Sequence, residues 1–84
     1  MLKVGDHVIY VDAHGQERNA LVTIVWAGIP TYVSESGEPG CNVVIVADDA
    51  AKDDPYGRQI ERWTSVVHKT KQPAHGNYWK RPGE

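Results

Sequence analysis

With 84 residues the chain has room for one small domain, and a domain of that size buries only roughly 60–65 % of its unfolded surface. Nine Lys/Arg against eleven Asp/Glu, for a net charge of −2, fit poorly with general nucleic-acid binding, which shows a basic excess. A single cysteine, Cys41, excludes an intramolecular disulfide framework and a Cys-rich zinc site.

In chain order, MLKVGDHVIY carries no long apolar segment after Lys3, so it does not read as a signal peptide. HVIYV, at His7–Val11, is β-branched and aromatic and predicts a strand. Asp12-Ala13-His14-Gly15 predicts a turn, with Gly15 free to take positive φ. ALVTIVWA, at Ala20–Ala27, carries the strongest strand signal. Alternation puts Leu21, Thr23 and Val25 on one face and Val22, Ile24 and Trp26 on the other. Both faces are largely apolar, which predicts a strand covered on both sides or wrapped within a barrel.

Gly28 to Gly40 reads as a loop, broken by Pro30, Gly37, Pro39 and Gly40, with YVS at Tyr32–Ser34 as a short edge strand. NVVIVA, at Asn42–Ala47, predicts a buried strand, and its aliphatic run is too short to span a bilayer. Asp48–Gly57 is an acidic loop with one helical turn expected around Ala50–Asp53. Arg58–Val67 has both helical and alternating character; its β-branched residues favour a strand. GNYWKRP, at Gly76–Pro82, predicts a short closing strand. Five short strands with Gly/Pro-rich loops imply an all-β barrel or sandwich, read as a small single-domain barrel of about five short antiparallel strands with two long loops. Closure would remove exposed strand edges.

Charge and aromatic usage are uneven. Val33–Gly57 holds six acids and one base; Ser65 onward holds four bases and one acid. Three Trp, four Tyr and no Phe tilt the chain towards surfaces where an aromatic has one apolar and one wet side.

The segments VGDHVIYV (Val4–Val11), ALVTIV (Ala20–Val25), VVH (Val66–His68) and GNYWKRP (Gly76–Pro82) together resemble small uncharacterised proteins encoded by bacteriophages and prophages. The resemblance implies an SH3-like barrel and a viral origin, and it implies no activity. YWKRP stands where many relatives place W-H-W-P, so no role tied to a histidine in that strand carries over.

No residue pattern supports catalysis. Cys41 reads as a small buried residue at a strand start. The pairs Asp48/Asp49 and Asp53/Asp54 read as solvated loop carboxylates, and no G-x-S-x-G motif or Gly-rich phosphate loop is present. His68 and His75 lack the spacing of a zinc site, and DDAAKDDPYG lacks the register of a calcium loop. The chain is therefore expected to be a non-enzyme with no cofactor and no metal. Pairing of Arg58–Val67 with Gly76–Pro82 would cluster Arg58, Arg62, Trp63, His68, Tyr78, Trp79 and Lys80. Rings beside cations suit a nucleotide-like small molecule, with stacking on the base and guanidinium groups on phosphate oxygens. The expected function is non-enzymatic capture of such a molecule, for instance a host defence signal, by a cytoplasmic homo-oligomer. The alternative is a structural or interaction module that binds a host or virion protein. Nucleic acid is a weaker third reading, and no membrane partner is expected.

Overall fold

The computed structural model describes residues 1–28, 33–34, 36–47, 53–71 and 76–84, with backbone alone at Asp53 and Asp54. Its strands are β1 (His7–Val11), β2 (Glu17–Val25), β3 (Cys41–Val46), β4 (Asp53–Asp54), β5 (Gly57–Arg58), β6 (Ile60–His68) and β7 (Tyr78–Lys80). A 3₁₀ turn at Lys69–Lys71 follows β6. β1, β2, β3, β6 and β7 close into a barrel in that order, and β4–β5 form a separate two-residue ladder. The protein is all-β, a small SH3-like barrel. Among the described residues no helix is long and apolar enough to cross a membrane. The expected helical turn at Ala50–Asp53 and most of the expected Tyr32–Ser34 strand lie outside the described residues. Val33 and Ser34 are not strand, and Asp53 opens β4.

Each hairpin has a local cause. The Asp12 carboxylate accepts from the backbone N–H of His14 (2.9 Å) and Gln16 (3.0 Å), which turns the chain from β1 into β2. Those bonds hold the Asp12 carboxyl below its usual range against the opposing cost of desolvation. Arg58–Val67, ambiguous in sequence, is strand from Ile60, because β6 pairs antiparallel with β3 along its length. One pairing departs from the antiparallel expectation. β6 meets β7 in parallel, and only at Val67↔Tyr78 and His68↔Trp79.

Two bulges bend the sheet around Asn42. In β2 the register slips between Val22 and Ile24; in β3–β6 it slips between Cys41 and Val43. Thr64 and Ser65 thus oppose the single residue Asn42, and Ser65 takes φ +55°. The Asn42 side-chain oxygen accepts from the Ser65 N–H (2.9 Å) and from the Trp26 indole N–H (2.9 Å). The β2 bulge also breaks the expected alternation. Val25 turns to pack against the core, while Ile24 is partly exposed.

The core gathers Leu2, Val8, Tyr10, Ala20, Val22, Cys41, Val43, Ile45, Val66 and Trp79. Cys41 is fully buried, as its place at a strand start suggests, and burial pushes its thiol up to about 12. Trp79 is also fully buried, and its indole N–H donates to the Pro39 carbonyl at 3.0 Å. Tyr10 stacks on Trp63 with centroids 5.5 Å apart, and its hydroxyl donates to the Asn77 side-chain oxygen.

The approach to β7 needs glycine. Gly76 has φ +82°, and a Cβ there would sit 2.1 Å from the Asp12 carbonyl oxygen. Gly76→Ala is expected to destabilise the fold by about 2–4 kcal/mol through backbone strain and displacement of the β1–β2 turn. Ser65→Gly, which relieves positive φ at the bulge, should be neutral or stabilising by at most about 1 kcal/mol. Urea denaturation of the two variants checks both. Equal midpoints for Gly76→Ala and the parent would contradict the close approach.

Candidate functional site

The seven residues that sequence reasoning grouped do not share one surface. Trp79 and His68 lie in the interior, 0 % and 2 % exposed. Their rings meet edge to face at 4.6 Å. Trp63 points inward from β6 and stays 40 % exposed where it covers Tyr10. Tyr78 is half-buried opposite Val11 and Val67. Lys80 holds the Glu17 carboxylate at 3.0 Å. Arg62 is exposed and opposes Val44. Arg58 donates from Nη1 to the Ala47 carbonyl at 3.1 Å. The expected pairing of the two segments is real only at the last two residues of β6, so Arg58 and Arg62 are carried away from β7 along the strand.

His68 belongs to a latch. Its Nδ1 accepts from the Thr70 backbone N–H (3.3 Å) and meets the Thr70 hydroxyl at 2.8 Å. Nε2 therefore carries the proton and faces the Glu84 carboxylate at 3.3 Å. Arg81 donates to both oxygens of Glu38 (3.0 and 3.1 Å) and lies 5.4 Å from the Trp79 ring centroid. That pairing raises the Arg81 guanidinium above its usual range. A hydroxyl chain, Ser34–Ser36–Thr70, runs at 2.9 Å per step and joins the loop to the 3₁₀ turn. These contacts tie the loop before β3, the end of β6 and the C-terminal turn over Trp79. They explain how a histidine can be buried here, because both ring nitrogens are satisfied.

The concave surface lies elsewhere, on the outside of β2 and β3. One depression, with a cavity volume of about 240 Å³, is lined by His7, Asn19, Ala20, Leu21, Val44, Ile45 and Val46 and is almost wholly apolar. A second, of about 330 Å³, is lined by Glu17, Arg18, Asn19, Val46, Ala47 and Arg58 and is mainly polar. The two adjoin through Asn19 and Val46, which line both, and together make a groove-like surface with an apolar end and an end that carries Arg18, Arg58 and Glu17. Register places this surface: His7 opposes Leu21, and Leu21 opposes Val44. Leu21 is 50 % exposed, so β2 is not covered on both sides; it takes the other arrangement that its apolar faces allow, a strand wrapped within a barrel.

At the cationic end, Arg18 donates to the Gln16 side-chain oxygen (2.6 Å) and lies 3.5 Å from Asp12. Glu17, the acid of that end, is held by Lys80. At the junction, His7 Nε2 and the Asn19 side-chain oxygen are 2.9 Å apart. Of the seven grouped residues, Arg58 lines the groove, while Arg62 and Lys80 border it through Val44 and Glu17. Sequence reasoning missed His7, Arg18, Asn19, Leu21, Val44 and Val46. The available signal was the polar ERN run entering β2, which places Arg18 and Asn19 immediately before the apolar ALV. Among the described residues no cluster of three or more His, Cys, Asp or Glu could hold a metal ion.

The latch has a pH signature. The Arg81 backbone N–H, with a smaller contribution from His68, holds the Glu84 carboxyl below its ordinary value of 4.5. Its folded value is depressed, so its stabilisation is complete above about 4.5 and is lost as pH falls through the lower folded value. Glu84→Gln should flatten the acid limb of a stability–pH curve below 4.5 without abolishing it, since Asp6 and Asp12 are depressed as well. Thermal melts from pH 3 to 7, roughly the span over which carboxylates titrate, check this, and an unchanged acid limb would count against the latch. Comparison of the chain with protein-family models, curated proteins and solved structures finds no match.

Proposed function

We propose that the protein is a non-enzymatic binding module that captures a small molecule with a flat ring at one end and a phosphate at the other, as a nucleotide has. The observation that carries this reading is the adjacency of the two depressions: an apolar one lined by Leu21, Val44 and Val46 shares Asn19 and Val46 with one lined by Glu17, Arg18 and Arg58. A ring rests against the aliphatic floor, where its burial removes apolar surface from water. Guanidinium groups match phosphate oxygens in geometry and charge. Glu17 does not oppose the anion strongly, because Lys80 neutralises it. The volumes of the two ends fall near the lower range of small-molecule sites. A viral origin, which the resemblance to phage-encoded barrels implies, would make a host signal a molecule worth capturing, and capture requires no chemistry.

Titration calorimetry with purine and pyrimidine mononucleotides, cyclic dinucleotides and ADP-ribose tests the reading. At least one is expected to bind, and Arg58→Ala is expected to weaken it by about tenfold or more, the loss of one charge-assisted contact. A flat response across the panel sinks the proposal.

A second reading, docking to a protein or to another copy of the chain, is favoured by a different observation. Val46 and Ile60 oppose each other across β3–β6 and are 60 % and 65 % exposed. They extend the apolar floor onto β6, where a partner surface would complete the groove. Light scattering of the parent and of Ile60→Lys tests the self-docking case: an oligomer that the substitution dissolves supports it, and a monomer in both removes it.

A further inference from the structure

We infer that Asn19 selects the ring of the captured molecule, and that it selects rings with a carbonyl acceptor over rings with an exocyclic amine at the same position, purine 6 or pyrimidine 4. The inference rests on the groove reading above and deepens it. Asn19 is shared by the apolar and the cationic ends, so it stands where a ring would join its phosphate-bearing part. Its side chain has two different ends, an oxygen that only accepts and an NH₂ that only donates. The oxygen faces His7 Nε2 at 2.9 Å. An amide oxygen cannot donate, so Nε2 carries the hydrogen, and the amide is fixed with its oxygen towards His7. The NH₂ end is then the one directed away from His7 and offered to a ligand.

A fixed donor discriminates sharply. A ring carbonyl, as in guanine or uracil, accepts from it. An exocyclic amine at the same position, as in adenine or cytosine, brings donor against donor and leaves both unpaired, which costs more than a simple lost bond. His7 supplies the orientation and Asn19 the contact. Neither is needed for the core, since both are exposed on the outer face.

The test uses calorimetry of the full chain with two matched pairs, guanosine against adenosine monophosphate and uridine against cytidine monophosphate. The parent should favour the carbonyl member of a pair by about tenfold. Asn19→Asp replaces the donor with an acceptor of the same shape; it should weaken binding of all four through charge and reverse the ratio within a pair. His7→Ala leaves Asn19 in place but frees its amide to turn, so the ratio should fall towards one while binding persists. Equal affinities within each pair in the parent, or a ratio that neither variant moves, would overturn this inference and leave the ring–phosphate reading standing. Failure of all four to bind the parent overturns this inference, and the ring–phosphate reading falls with it only when cyclic dinucleotides and ADP-ribose are silent as well.

Discussion

The barrel depends on how three residues close it. β7 is only Tyr78–Lys80, and it meets β6 at two register positions. Backbone pairing alone over so short an edge is weak, and an isolated strand of that length has no stability of its own. Closure is carried by side chains. Trp79 fills the interior and anchors its indole to the Pro39 carbonyl forty residues away. Burial of a Trp is worth about 3–5 kcal/mol by truncation, a large share of what a domain of this size holds in reserve. Gly76 and Asn77 then bring the strand hard against the β1–β2 turn, with the Asn77 N–H on the Val11 carbonyl at 2.7 Å.

That solution explains why so much chemistry at the C-terminal end is turned inward. His68, Glu84, Arg81, Glu38 and Thr70 surround Trp79 and satisfy one another. A group whose hydrogen bonds are already spent on a buried neighbour is poorly placed to recognise a ligand, because recognition would first have to break those bonds. The outer face of β2 and β3 carries less of that duty, although Arg18 is paired with Gln16 and Asp12 and Arg58 with the Ala47 carbonyl. Its side chains alternate with core residues and contribute little to closure. Exposed apolar side chains there, Leu21 and Val46, are what closure leaves over, and they lie beside the two guanidinium groups of Arg18 and Arg58.

The fold was legible because strand signals are local. HVIYV matches β1 residue for residue, and NVVIVA matches β3 to within one position. The parallel contact of β6 with β7 was not legible, since pairing direction depends on where the connection 69–77 delivers the chain. The bulges at Asn42 were hidden too. They arise from a side-chain oxygen that serves two donors on different strands, a contact with no sequence periodicity. One bulge turned Val25 inward and spoiled a face assignment that simple alternation predicts. The site failed for a related reason. Aromatic and basic residues adjacent in sequence suggested a cluster, but alternation sends Trp79 inward and Lys80 outward. Arg18 and Arg58 are forty residues apart and meet only through the β2–β3 register.

The division of labour between inside and outside has a consequence for how such a small domain could change its ligand. Outer-face residues on β2 and β3 can vary with little cost to closure, because surface substitutions away from special backbone positions usually shift stability by only about 0.5 kcal/mol. Inner residues cannot: Trp79 and His68 each satisfy a partner at the interior, and Gly76 occupies space that no other side chain fits. Selection for a new ligand would therefore act on His7, Asn19, Leu21 and Arg58 while the latch and the closing strand stay fixed. On the ligand-capture reading proposed above, the groove is the part of the molecule with the most freedom to vary, and Trp79 with the latch beside it is the frame.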